Sequence, residues 1–373
     1  MRRRYQRYNR TFFVGAVLLL LGNVLFNGLV DPFSIYPDQA LTSLERYRKI
    51  GPSRITIAES LIRVNPEVLL LGTSRTKNGL RTDHAAFEGR RCFNAGLPAG
   101  SMEELRHVAR VAMDQTDVKE IVFFADFFSF NDRRLPIAGF DSSRFSPTFN
   151  VLEFHLEQLL SFTAFSRSKK VLWRWRSGTD AQNEKIINRK VIARELLAFH
   201  DDPMLYGEFN SSAASWRELA ALKKMAHDNN VNLKVILLPV HATMLETLRH
   251  AGLWDKWEQW KRQLIVELGP TISVWDFQYY GEYTAHPVGE AGDMVQAMVW
   301  FKDPSHALPK FCSLVLDRVY TSKEPAAGGG FGRKLNEAMI ESWLVEIREK
   351  RARYAENYPQ DILWIEKILA LKD

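Results

Sequence analysis

The chain has 373 residues, of which 46% are hydrophobic and 25% charged, with a formal net charge of +6. That length buries a large core, in one large domain or two ordinary ones, and the balance excludes a disordered chain. Arg2, Arg3, Arg4, Arg7 and Arg10 concentrate the positive charge at the start. The remainder is too mildly basic for a nucleic-acid binder.

Residues 11–30, TFFVGAVLLLLGNVLFNGLV, carry no charge. About 20 apolar residues cross the hydrocarbon core of a bilayer as a helix, although Asn23 and Asn27 weaken the span. The arginine flank predicts that residues 1–10 stay in the cytoplasm and that the rest is exported. No small-x-small cleavage site precedes Asp31, which favours an uncleaved anchor over a signal peptide. Residues 31–65 read as a juxtamembrane linker with interfacial aromatics and a short helix.

Residues 68–71 form a short apolar run ending in Gly72-Thr73-Ser74-Arg75. Such a run predicts a strand buried on both faces, with Gly72 allowing a sharp turn and Ser74 just past the strand end. Residues 91–94 predict a second strand, followed by a breaker-rich loop, 95–100. Ser101 and Glu104 form a capping-box pattern that opens a helix to about residue 113. Residues 118–125 predict a third strand, 233–239 a fourth and 272–277 a fifth.

Helices are expected at 150–162, 183–199, 215–229, 241–251, 254–267 and 308–320, with no clear strand series across 133–213. Basic and aromatic residues interleave at 167–176, as in a solvated helix face or a surface that touches membrane or glycan. Residues 326–332 are a glycine-rich linker. The tail, 333–373, has an amphipathic helical pattern that packs on the domain or on a partner. Strands alternating with helices predict a three-layer α/β/α fold around a parallel sheet, with the ligand crevice at the strands' C-terminal ends.

A serine nucleophile needs a base, the base an orienting acid, and the oxyanion a set of donors. Asp303-Pro-Ser-His306 supplies a carboxylate and an imidazole three residues apart. Arg75 either holds an anionic group or anchors the turn through an ion pair. His241 reads as a helix-start residue bonded to backbone and His286 as a loop residue. Tyr279, Tyr280 and Tyr283 either stack on sugar rings or pack in the core or at a rim. Cys92 and Cys312 have no zinc-site spacing, and their pairing stays open. No metal or cofactor is expected.

Gly72-Thr73-Ser74-Arg75, Asn94-Ala-Gly-Leu-Pro-Ala-Gly100 and Asp303-Pro-Ser-His306 follow in this order, and on these blocks residues 66–320 resemble the SGNH (GDSL-like) hydrolase superfamily. The resemblance is nearer to its membrane-anchored extracytoplasmic branch, with alginate acetylation factors and the D-alanyl-transfer protein of teichoic acid modification. It implies a flavodoxin-like SGNH domain over 66–322, with a helical insertion at about 133–213, between the anchor and the 323–373 tail. It implies Ser74 as nucleophile, His306 as base and Asp303 as orienting acid. The oxyanion donors would be the Ser74 N–H and Gly100 or Gly96. The third donor of the family, an asparagine directly after the third strand, is replaced by Asp126. Asn131 arrives several residues later, and three readings stay open: Asn131 fills the role through a longer loop, Asp126 takes it, or the oxyanion hole is weaker. The implied activity is acyl transfer to an exported or cell-surface glycan, with a carbohydrate or lipid esterase, or a non-catalytic glycan-binding or scaffold protein of a surface polysaccharide system, as alternatives. The implied setting is the periplasmic face of a bacterial inner membrane, beside a multi-spanning acyltransferase.

Overall fold

The computed structural model describes residues 2–36, 40–48, 54–137, 140–145, 150–178, 189–288, 298–321 and 330–370. The chain opens with α1 (Arg2–Val30), α2 (Ile57–Val64), β1 (Val68–Gly72), α3 (Ser74–Gly79), β2 (Cys92–Gly96), α4 (Met102–Gln115) and β3 (Glu120–Phe124). The helices α5 (Val151–Leu160), α6 (Phe162–Ser177), α7 (Arg189–Asp201) and α8 (Ala213–Asp228) follow. Then come β4 (Asn232–Leu237), α9 (Ala242–His250), α10 (Trp254–Leu268), β5 (Ser273–Asp276), β6 (Phe301–Asp303), β7 (His306–Ala307) and α11 (Pro309–Thr321). The chain closes with β8 (Arg333–Leu335), α12 (Ile340–Asn357) and α13 (Pro359–Leu369).

The chain divides into two compact units, Met1–Ser60 with Ser143–Lys185, and Leu61–Ser142 with Ile186–Asp373. Of the stretch 133–213, α5 and α6 therefore belong to the first unit and α7 to the second. In the first unit α1 packs along α5 and α6. Its residues Arg4–Val30 have a window of mean hydropathy 2.2, long and apolar enough to cross a membrane.

The second unit is a six-stranded sheet in the order β2-β1-β3-β4-β5-β8. The first five strands pair in parallel, and β8 adds antiparallel to β5. The order 2-1-3-4-5 is that of the flavodoxin-like α/β fold, with its switch point between β1 and β3. Every residue of β1 and β3 is buried, as a sheet covered on both faces requires. Each fully buried leucine in β1 contributes about 2 kcal/mol through removal from water. Right-handed crossovers put α3 on one face and the connections from β2 to β5 on the other. Accordingly α4, α8 and α10 pack side by side, while α3 meets α11.

Local chemistry sets the boundaries. The capping box forms: Ser101 Oγ accepts from the Glu104 N–H at 3.3 Å, and the Glu104 carboxylate accepts from the Ser101 N–H at 2.8 Å. Glu120, buried at the start of β3, is met by Lys234, Arg90 at 2.6 Å and Tyr320 at 2.5 Å. Burial alone would raise its pKa, but these three partners hold it below the ordinary value.

The tail packs on the second unit. Trp343, Leu344 and Ile347 are buried, and the Trp343 indole donates to Asp276 at 2.8 Å. Asp276 also takes the fully buried Lys261 ammonium at 2.5 Å. Both cysteines are free thiols, pushed up to about 12 by burial.

Candidate active site

The turn after β1 sits against both neighbouring strands. A Cβ on Gly72 would lie 2.2 Å from Thr76 Oγ1 and 2.9 Å from the Phe124 carbonyl. A Cβ on Gly96, at the end of β2, would lie 2.3 Å from the Lys77 backbone nitrogen. Only glycine lets the strand ends approach α3 so closely. Asn94 completes the clamp by donating Nδ2 to the carbonyls of Thr76 and Leu80, at 3.0 and 2.9 Å. The first residue of α3 is Ser74, which is half-buried and so within reach of solvent.

The partner of Ser74 comes from the other end of the domain. β6 and β7 form a short antiparallel hairpin, and its turn is Asp303-Pro-Ser-His306. Asp303 Oδ1 accepts the backbone N–H groups of Ser305 and His306 at 3.0 and 2.9 Å, a side-chain turn that fixes the loop. The Pro304 carbonyl accepts from the His241 N–H at 3.0 Å, tying this loop to the end of β4. His306 Nδ1 donates to Asp303 at 2.7 Å, and His306 Nε2 lies 2.8 Å from Ser74 Oγ. With Nδ1–H facing a carboxylate, Nε2 carries the lone pair and the serine hydroxyl donates to it.

Burial raises the Asp303 carboxyl, but the His306 ring and the two loop N–H groups more than offset this, leaving its pKa below the ordinary value. Folding therefore favours ionised Asp303. That stability is complete above the unfolded carboxylate value and is lost as pH falls through the lowered folded one. The urea-midpoint difference between wild type and Asp303→Asn is expected to be constant from neutral pH to about pH 5 and to shrink below about pH 4.

Arg75 is buried and its Nη1 meets Asp126 Oδ1 at 2.5 Å, an ion pair that anchors the turn. Burial opposes the charge, yet the Asp126 carboxylate keeps the guanidinium above its ordinary value. Asp126 Oδ2 also accepts from Thr73 Oγ1 at 2.5 Å, and Arg75 Nε reaches Ser305 Oγ at 3.4 Å. The nucleophile turn, the end of β3 and the 303–306 loop are thus joined through one buried ion pair.

The expected oxyanion donors need correction. The Gly96 N–H donates to Asn94 Oδ1 at 2.9 Å, and the Gly100 N–H closes a tight turn onto the Leu97 carbonyl at 2.9 Å. Asn131 is fully buried and gives its Nδ2 to the carbonyls of Pro203 and Leu205, at 2.8 and 3.1 Å. Both Asp126 carboxylate oxygens are taken up as acceptors, by Arg75 and by Thr73. Of the expected donors, only the Ser74 N–H has no acceptor among the described residues. Asn131→Ala is expected to destabilise the fold by about 1–3 kcal/mol, since it strands two carbonyls, and to leave kcat unchanged. Urea midpoints and turnover of the same preparation check both halves.

His241 caps α9 as its sequence position suggests: Nε2 donates to the His286 carbonyl at 3.0 Å and Nδ1 accepts from the Thr243 N–H. Burial depresses its pKa to about 3, so it is neutral. Tyr279 and Tyr280 are buried, and Tyr280 donates to Glu246 at 2.6 Å, so both serve packing. The residue that sequence reading missed is Glu195, on α7. A carboxylate oxygen of Glu195, one of Asp303 and a ring nitrogen of His306 lie within 4.8 Å of one another. A histidine with two carboxylates is a donor set that suits zinc. Here, however, both ring nitrogens are committed, one to Asp303 and the other to Ser74. Glu195 thus lines the edge of the His306–Asp303 pair from α7.

These features define a mostly parallel α/β domain with a serine–histidine–aspartate relay at its switch point. No family model matches the chain, and no curated protein matches it. Among solved structures it is similar to "a putative platelet activating factor from Streptococcus pneumonia", with 10% identity and a TM-score of 0.35, covering 72% of this chain and 92% of that one. A likeness at that score carries no conclusion about function.

Proposed function

We propose that this chain is a membrane-anchored, serine-dependent acyltransferase that forms an acyl-enzyme on Ser74. The observation that supports it is the unbroken hydrogen-bond path from Ser74 Oγ through His306 to Asp303. In the first half-reaction Ser74 Oγ attacks the donor's acyl carbonyl while His306 Nε2 takes the hydroxyl proton. The tetrahedral oxyanion accepts the Ser74 N–H. The donor's alkoxide leaves with the proton from His306, and the acyl group stays on Ser74. In the second half-reaction His306 Nε2 takes the proton of an acceptor hydroxyl as its oxygen attacks the acyl carbon, and returns that proton to Ser74 Oγ as the acyl–serine bond breaks.

α1 holds this chemistry at a membrane, with residues 1–10 cytoplasmic and the α/β domain on the periplasmic side. The acceptor is then a hydroxyl of an exported or cell-surface glycan, supplied beside a multi-spanning acyltransferase. Incubating the purified chain with an acyl donor and unacetylated glycan is expected to give Ser74-dependent glycan ester. Release of free acid from acetylated glycan, without transfer, would place the chain among esterases instead. A non-catalytic glycan-binding reading is favoured by one observation, the prior engagement of the Gly96, Gly100 and Asn131 donors. It predicts glycan binding that Ser74→Ala leaves intact, with no ester made or cleaved.

A further inference from the structure

We propose that α5 and α6 form a helical hairpin whose tip is sunk in the lipid of the leaflet that α1 leaves at Val30. The inference rests on α1 as a bilayer span and is independent of the chemistry at Ser74. Residues 11–30, at 1.5 Å per residue, match the ~30 Å hydrocarbon core. On that scale Asn23 lies about 10 Å inside the edge marked by Val30.

The hairpin is registered to α1 at this depth. Asn23 Nδ2 donates to the Leu160 carbonyl at 3.2 Å, and Asn27 Nδ2 to the Leu159 carbonyl at 2.8 Å. α6 then climbs beside α1: Phe165 packs on Phe26, Ser168 Oγ donates to Asn27 Oδ1 at 2.9 Å, and Val171 joins the cluster around Val30. The tip is thus level with Asn23 and the charged part of α6 level with the end of the span. The two asparagines that weaken the span as sequence are the residues that hold the hairpin to it.

The tip suits hydrocarbon. Residues 159–165, LLSFTAF, carry no charge. Leu152, Leu156 and Leu160 follow one another at helical spacing on α5 and are 70%, 48% and 41% exposed, and Phe162 is 83% exposed. Backbone groups at a break between helices cannot stay unpaired in lipid. Here the Ser161 N–H reaches Glu157 O at 2.9 Å, and the Ala164 N–H reaches Ser161 Oγ at 3.0 Å. The two asparagines take the last α5 carbonyls. Higher up, α6 is basic without an acidic residue, from Arg167 to Arg176, with Trp173 and Trp175 exposed among the charges. That combination fits the headgroup layer of an anionic leaflet.

The test places a nitroxide on Leu18→Cys, Phe162→Cys or Lys170→Cys, in the full chain with Cys92→Ala and Cys312→Ala. The carrier is phosphatidylethanolamine–phosphatidylglycerol vesicles, and circular dichroism of each sample verifies folding. Collision with oxygen and with a water-soluble nickel chelate reads depth. The expected result is loss of nickel collision at Leu18 and Phe162, with nickel access regained at Lys170. Nickel access at Phe162 with Leu18 protected would overturn the hairpin and leave the anchor standing. Nickel access at Leu18 would overturn both. A label at Phe162 that is immobile and reached by neither quencher means protein covers the tip, and also overturns the proposal.

Discussion

Ser74→Ala is expected to reduce acyl-ester turnover by at least about 10⁴-fold without changing the unfolding free energy by more than about 0.5 kcal/mol. The hydroxyl is the attacking atom, and its removal deletes one hydrogen bond at a half-buried position. Residual activity would come only from substrate positioning and the Ser74 N–H. Asp303→Asn should lose about 10⁴-fold as well, for a different reason. An amide can donate to His306 Nδ1 and so stabilise the tautomer that has its proton on Nε2. In that tautomer the lone pair faces Asp303 rather than Ser74, and no base remains. The kinetics of a chromogenic acyl ester with the two variants separate these effects. Ser74→Ala leaves nothing to acylate, while Asp303→Asn retains a nucleophile that recovers some rate at high pH.

Arg75→Met is expected to be the most destabilising change near the site, by about 3–5 kcal/mol. It leaves the Asp126 carboxylate buried, with Thr73 as its remaining partner. The cost is that of an uncompensated buried charge rather than the value of the ion pair itself. The double variant Arg75→Met/Asp126→Asn should therefore recover most of the loss, because an asparagine oxygen still accepts from Thr73 and no lone charge remains. Urea midpoints of the single and double variants read this directly. A double variant no more stable than Arg75→Met would mean that the Arg75 stem and its contacts with Phe128 and Ser305 carry the stability instead.

The pieces around Ser74 and His306 were legible in the sequence as local patterns, and the family resemblance joined them. An apolar run ending in Gly72-Thr73-Ser74 is a strand and a turn, and Asp303-Pro-Ser-His306 brings acid and base together within one hairpin. The parallel sheet was legible for a similar reason, since strands buried on both faces lose the polar alternation. What escaped was non-local. Whether the N–H groups of Gly96 and Gly100 are free depends on the path of the loop, and Asn94 and Leu97 consume them. Asn131 has the right chemistry, but its side chain holds the 203–205 turn. Glu195 lies on an ordinary amphipathic helix that nothing in its own neighbourhood connects to His306. β8 is three residues long, two of them basic, and pairs only because β5 offers it an edge.

The most direct measurement is fluorophosphonate labelling of the detergent-solubilised full chain, followed by peptide mapping. The arrangement of Ser74, His306 and Asp303 predicts one adduct, on the peptide carrying Ser74, lost in Ser74→Ala and strongly reduced in His306→Asn. A folded wild-type chain with no adduct on Ser74, or one that His306→Asn leaves unchanged, would contradict the account.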